Sequence, residues 1–210
     1  MEEKNVCSGC CETCKSSACR DARGLKSCSE CADFPCSLVE NEALAEGGIG
    51  MDGLLALAKA AGKPILGNSV MVQLGILVHD VDETCAAWAK FLGVDVPKTF
   101  WCDGYDKTFA EYNGEPCNAR CKQGFFKLGP VQFELIQPDG NPSVWRDCLD
   151  ANGEGLHHIA FDIKNMPQKI HFCEAMGYPL MQKGEYTGGR YAYIDAVDQL
   201  KTIVELLEND

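Results

Sequence analysis

The segment QLGILVHDVDETCAAWAKFLG, residues 73–93, lies over HIAFDIKNMPQKIHFCEAMG, residues 158–177, with one residue of difference in length. Each opens on a β-rich apolar stretch with strand alternation. Each then changes to apolar positions at helical spacing and closes on a glycine, Gly93 or Gly177. Gln73 falls opposite His158. Strand-like pieces follow the first copy at 108–112, 120–128 and 131–137, the last two divided by a Gly129–Pro130 turn. A helix is expected over 142–152. After the second copy come strand-like stretches at 188–198 and 201–208. The unit is therefore βαβββ, present twice. A unit this long and met only twice argues for two paired modules and against a solenoid. The fold class expected is α+β.

Strand alternation sets which side chains face together. In the first copy Val72, Leu74, Ile76 and Val78 share the face that should pack on the helix, and Gln73, Gly75 and Leu77 take the other. In the second copy Ile159, Phe161 and Ile163 should face the helix, leaving His158 and Ala160 opposite. The last strand of each module has the same oddity. VQFELI (131–136) puts Glu134 between Phe133 and Leu135, and TIVELLE (202–208) puts Glu205 between Val204 and Leu206. An acid inside an apolar strand is costly to bury unless it is paired or bound to metal. Either Glu alone could sit on the solvated face of a half-exposed strand. The joint pattern, two equivalent strands opening on a ligand-type residue and two ending in Glu, points to one shared inner site.

The segments VQLGILVHDVDETCAAWAKFLGV, FFKLGPVQFELIQP, GLHHIAFDI and TIVELLE resemble the vicinal oxygen chelate superfamily, which includes glyoxalase I and methylmalonyl-CoA epimerase. The resemblance covers residues 69–208. It implies two βαβββ modules curled into a cupped mixed sheet around one divalent metal ion. The implied ligands are Gln73, Glu134, His158 and Glu205. Three oxygen donors and one imidazole suit a hard or borderline ion such as Zn, Ni, Co, Mn or Mg. The implied chemistry is proton removal next to a carbonyl, with Glu205 as base and Glu134 as its partner. An epimerase or other isomerase acting on a thioester or α-oxygenated carbonyl is expected, with a glyoxalase I-like lyase as the alternative. A small-molecule binding protein or a redox sensor is a further reading. Where glyoxalase I grips glutathione, this chain carries Leu77, Pro138 and Glu154 instead.

The remaining signal is cysteine. The chain has 210 residues and 14 Cys, and eight fall in the first 36 positions: Cys7, Cys10, Cys11, Cys14, Cys19, Cys28, Cys31 and Cys36. Three CxxC pairs occur among them. CxxC lets two thiolates reach one ion on a tight turn, so the eight could hold Zn or, alternatively, an iron–sulfur cluster. Residues 7–40 resemble a small Cys-rich domain of unknown function. They contain few large aliphatics and cannot build a core alone. Of the other six Cys, Cys117 and Cys121 are the pair close enough in sequence to draw notice. The expected organisation is a Cys-rich segment at 1–40, a helical connector at 41–68 with its helix at 51–61, and a glyoxalase-like domain at 69–210 with modules at 69–139 and 155–208. The acidic, polar N-terminus lacks the pattern of a secretory signal, and there is no apolar run long enough for a membrane span. A bacterial cytoplasmic protein is expected, with a small-molecule substrate and allowance for a homodimer. A net charge of −12 argues against a nucleic-acid partner.

Overall fold

In chain order the elements are α1 (Lys15–Ala22), α2 (Gly50–Ala61), β1 (Met71–Leu77), α3 (Val81–Leu92), β2 (Phe100–Trp101) and α4 (Tyr105–Thr108). Then come β3 (Glu111–Tyr112), β4 (Glu115–Pro116), β5 (Cys121–Leu128), β6 (Val131–Pro138), α5 (Val144–Asn152) and β7 (Gly155–Asp162). The chain ends with α6 (Met166–Ala175), β8 (Leu180–Tyr186), β9 (Gly189–Ile194), α7 (Val197–Leu200) and β10 (Ile203–Asn209). The structure is a computed structural model that describes residues 15–26, 28–31, 36, 39–41, 45 and 48–210. These fall into two compact units. One combines residues up to Ser69 with Ile163–Met176, and the other Val70–Asp162 with Gly177–Asp210.

The larger unit is one ten-stranded mixed sheet in the order β2-β5-β6-β1-β7-β10-β9-β8-β3-β4. β1 and β7, the first strands of the two modules, pair antiparallel at its centre. Each has its own module's last strand as a parallel neighbour, β6 beside β1 and β10 beside β7. This near-twofold order is what two copies of βαβββ predict. The topology also forces the sheet to curl. Eight strand spacings separate β2 from β3, about 38 Å if flat. The ten residues from Trp101 to Glu111 span at most about 34 Å fully extended, and α4 shortens them further. The two edges therefore have to bend toward each other.

The alternation read in the first copy holds. Leu74 and Ile76 pack with Val81, Cys85, Trp88 and Ala89 of α3, together with Phe133 and Leu135. α3 begins at Asp80, whose side chain accepts from the Glu83 N–H at 2.9 Å, and ends at Gly93 with φ 71°. Leu77 turns the other way, into a cluster with Ile136, Tyr193, Ile203 and the Val144, Trp145 and Leu149 side chains of α5. Trp145 Nε1 donates to the Tyr193 hydroxyl at 3.1 Å, which gives the buried indole N–H its partner.

In the smaller unit Leu54, Leu57 and Ala58 of α2 pack with Cys28, Val39 and Phe172 of α6. The aliphatics that residues 1–40 lack thus come from α2 and α6. A buried ion pair, Lys169–Glu40, joins α6 to the 39–41 segment. Lys169 Nζ also donates to the Ile65 carbonyl at 2.9 Å.

Three local expectations change. The strand read at 108–112 shrinks to Glu111–Tyr112, because residues 105–108 form a helical turn. The stretch 188–198 leaves the sheet after Ile194. β8 goes unread in the sequence, because the residues it buries are Gln182 and Gly184, not aliphatics. Among the described residues no helix is long and apolar enough to cross a membrane.

Candidate metal centre

Four side chains meet on the inner face of the sheet. His158 Nε2 lies 3.1 Å from Gln73 Oε1, 3.1 Å from Glu205 Oε2 and 3.6 Å from Glu134 Oε2. All four residues are buried, none more than 6% exposed. Glu134, His158 and Glu205 offer one donor atom each within 4.8 Å of one another, and this is the one such His/Cys/Asp/Glu group among the described residues. The half-exposed alternative for the two glutamates does not hold. Both lie on strands whose inner face is covered.

Strand register creates the space for this group. Gly75 pairs with Glu134 on one side and His158 on the other. Ala160 pairs with Gln73 and Glu205 in the same way in the second module. Small residues thus lie between the donors. At Gly75 the need is absolute: a Cβ would stand 2.2 Å from His158 Cε1 and 2.6 Å from each ring nitrogen.

Neighbours fix which atom of each donor points inward. Gln132 Oε1 accepts from Gln73 Nε2 at 2.6 Å, leaving Gln73 Oε1 toward His158. Gln123 Nε2 donates to Glu134 Oε1 at 2.6 Å, leaving Oε2 free for the site. His157 and His158 share a contact between their Nδ1 atoms at 2.9 Å. Burial, then the adjacent His158 charge, holds His157 well below the ordinary imidazole range, so it is neutral. A neutral His157 Nδ1 can accept the Nδ1–H of His158, which leaves the His158 Nε2 lone pair directed into the cluster.

The electrostatics are unbalanced without a cation. Burial pushes the Glu134 carboxyl up and the Glu205 charge adds to it, against the lowering influence of His158 and the Gln123 hydrogen bond. Burial pulls His158 down, but the Glu205 and Glu134 charges more than offset it, so its imidazole titrates above its ordinary value. Glu205 Oε2, 3.1 Å from His158 Nε2, is left without a hydrogen-bond partner. A buried cluster with two acids, an orphaned carboxylate oxygen and inward-facing Nε2 and amide oxygen fits a divalent cation.

The four side chains expected to share one inner site do converge, while the residues that support them carry no such signal in the sequence. Gly75 appeared only as a strand residue, and Gln123 and Gln132 are ordinary strand polars in sequence. His157 is packed, with its ring against Tyr193 and its Nδ1 in contact with that of His158. Leu77, Pro138 and Glu154 have structural roles: Leu77 is core, Pro138 ends β6, and Glu154 accepts from the His79 N–H at 2.7 Å. In the smaller unit Cys19, Cys28, Cys31 and Cys36 line one pocket, with Arg20 and Arg23 on its wall. Arg23 Nη1 donates to Cys31 Sγ at 3.1 Å. Cys7, Cys10, Cys11 and Cys14 lie outside the described residues. Cys117 is not partnered with Cys121; its sulfur faces the Pro142 carbonyl at 3.4 Å.

Residues 72–193 match the family model described as the glyoxalase/bleomycin resistance protein/dioxygenase superfamily. An uncharacterized protein of Bacillus subtilis, YqjC, is 30% identical over 87 residues, which are 40% of this chain. The match spans 62% of that relative's length, less than two thirds. Among solved structures, a hypothetical protein of Bacillus halodurans is 17% identical, covering 67% of this chain and 94% of that one, with a TM-score of 0.47. A variant methylmalonyl-CoA epimerase of Streptomyces coelicolor, in complex with 2-nitronate-propionyl-CoA, is 20% identical over 67% of this chain and 94% of that one, with a TM-score of 0.48. For methylmalonyl-CoA epimerase of Mycobacterium tuberculosis the identity is 20%, the coverages 67% and 87%, and the TM-score 0.46.

Proposed function

Because the chain belongs to the glyoxalase/bleomycin resistance protein/dioxygenase superfamily, we propose that it is a divalent-metal-dependent isomerase, epimerising a carbon next to a carbonyl. The observation that carries this is the convergence of Gln73, Glu134 and Glu205 on His158 Nε2, with Glu205 Oε2 left without a hydrogen bond. A bound Zn, Ni, Co, Mn or Mg ion would polarise a carbonyl oxygen and offset the negative charge of an enolate.

The chain's own residues then divide the work. Gln73, Glu134, His158 and Glu205 would hold the ion, and the two glutamates would also move the proton. Glu205 takes the α-proton, whose C–H electron pair passes into the enolate. Glu134 comes from the other module and reaches the site from β6, so it can return a proton to the opposite face of that carbon. Gln123 keeps the Glu134 carboxyl oriented, and the α5 cluster around Trp145 and Tyr193 closes part of the inner face to water. The substrate class is a thioester or α-oxygenated carbonyl. No basic side chain stands at Leu77, Pro138 or Glu154 to grip glutathione, which weighs against the lyase alternative.

For the N-terminal cysteines we propose a thiolate-bound Zn, with iron–sulfur as the alternative; the shared pocket of Cys19, Cys28, Cys31 and Cys36 supports it. Both readings are tested by metal quantification on the full chain beside the Glu205→Gln and Cys28→Ser variants, with solvent deuterium exchange into candidate thioesters. The enzyme reading expects a divalent ion, exchange into one substrate, and loss of exchange in Glu205→Gln. Protein without a divalent ion, in which Glu205→Gln alters neither metal content nor exchange, refutes it.

A further inference from the structure

Cys102 and Cys121 face each other across the β2–β5 edge. Register runs Phe100↔Gln123 and Trp101↔Lys122, so the next pair is Cys102 and Cys121. The Cys102 N–H donates to the Cys121 carbonyl at 2.8 Å. The Cys121 N–H donates at 3.1 Å to the Cys102 sulfur itself. Opposed residues on antiparallel strands have Cα separations of about 4.5–5.5 Å, inside the range a disulfide spans. Cys102 is half-buried and Cys121 is buried. Cys121 shares the inner face of β5 with Gln123, two residues on, whose amide holds Glu134.

We propose that Cys102 and Cys121 form an oxidation site, which a hydroperoxide converts to a cross-strand disulfide on the wall of the metal centre. Its formation is independent of the metal reading; its effect on the metal rests on that reading. The two thiols are suited to different parts. Hydrogen bonding from the Cys121 side chain, then from its N–H, with the nearby Arg120 charge, brings the Cys102 thiol down to about 7 against the opposing influence of burial. Cys121 is held well above the ordinary thiol range by Cys102 and by burial. Cys102 is thus the nucleophile and Cys121 the resolving thiol.

The Cys102 thiolate attacks the terminal oxygen of the hydroperoxide; the O–O bond breaks, and the departing alkoxide or hydroxide takes up a proton. Cys102 is now a sulfenic acid. The Cys121 sulfur then attacks the Cys102 sulfur, the S–O bond breaks, and hydroxide leaves with the Cys121 proton as water. Two thiols have lost two protons and two electrons, and the hydroperoxide has become an alcohol, or water, plus one further water. The new bond draws Cys121 toward β2 and with it the strand that positions Gln123. Loss of an outer-shell contact of this kind weakens metal binding about 10- to 100-fold.

The test uses the reduced full chain. It is treated with a stoichiometric amount of hydrogen peroxide, digested without reduction and analysed by mass spectrometry. A cross-linked peptide joining Cys102 to Cys121 is expected, absent in Cys102→Ser. Alkylation of Cys102 in the wild-type chain should show a pH midpoint near 7. A Cys102 that stays reduced, is carried on to sulfinic acid without a cross-link, or pairs with another cysteine overturns the proposal. Zn affinity measured before and after oxidation reads the coupling, and an unchanged value overturns that part. If the cross-link forms in a chain that binds no divalent ion in either state, the oxidation site stands and the metal reading falls.

Discussion

Replacing Gly75 with Ala isolates the geometry of the centre in one methyl group. In an ordinary strand the change should be neutral or stabilising by about 0.5–1 kcal/mol, since Gly loses more backbone freedom on folding. Here the new Cβ would stand 2.2 Å from His158 Cε1, so the ring would have to retreat by about 1.2 Å to reach ordinary contact. His158 has no exposure and nowhere to retreat without giving up the 3.1 Å approach to Gln73 and the 2.9 Å contact with His157. Overpacking costs about 1–3 kcal/mol. Leaving a buried polar partner unsatisfied adds about 1–3 kcal/mol more. The expected loss is therefore about 2–6 kcal/mol, opposite in sign to the propensity effect, and divalent-ion binding should be lost with it. Urea unfolding and metal quantification on the same preparation read both quantities. A Gly75→Ala chain as stable as wild type that binds a full equivalent of Zn would refute the claim that strand register makes room for the imidazole.

His157→Phe keeps the buried ring but removes the acceptor that orients His158; divalent-ion affinity should drop about 10- to 100-fold by isothermal titration, and an unchanged affinity removes His157 from the centre. Lys169→Met leaves Glu40 buried without its partner and should cost about 3–5 kcal/mol by urea unfolding, much of it recovered in Lys169→Met/Glu40→Gln. A single variant within about 1 kcal/mol of wild type would show the pair to be incidental. In metal-free protein both Glu134 and His158 titrate above their ordinary values. The folded state therefore holds protons that the unfolded chain releases, and stability should fall as pH rises above about 7.5, where His157 is neutral in both states. Denaturation with chelator at about pH 7.5 and about pH 9 measures the decline, and added Zn should remove it; a rise over that window contradicts the sign.

The paired modules and the four side chains that converge on the inner face were legible because each signal is periodic. Strand alternation places Gln73 and His158 inward, and a Glu between aliphatics is visible in any register. The supports were not legible because they depend on which strands become neighbours. Gln123 holds Glu134 only once β5 and β6 pair, and Gln132 meets Gln73 only through the parallel pairing of β6 with β1. Cys102 and Cys121 are nineteen residues apart and meet only at the β2–β5 edge. Gly75 has a reason to be glycine only when an imidazole lies against it. β8 was missed because an inward Gln182 gives no hydrophobic signal, its amide oxygen instead accepting from the Val144 N–H at 3.0 Å.

The smaller unit is not continuous along the chain. Its first part ends at Ser69, and its closing helix, α6, follows only after most of the sheet strands have been specified. On a ribosome this part would emerge early yet stay unfinished. Glu40 would wait for Lys169, 129 residues later, before it could be buried with its charge matched. Synthesis order and folding order thus run in opposite senses, and a nascent chain stalled before residue 169 would expose Leu54 and Leu57 to the cell's chaperones.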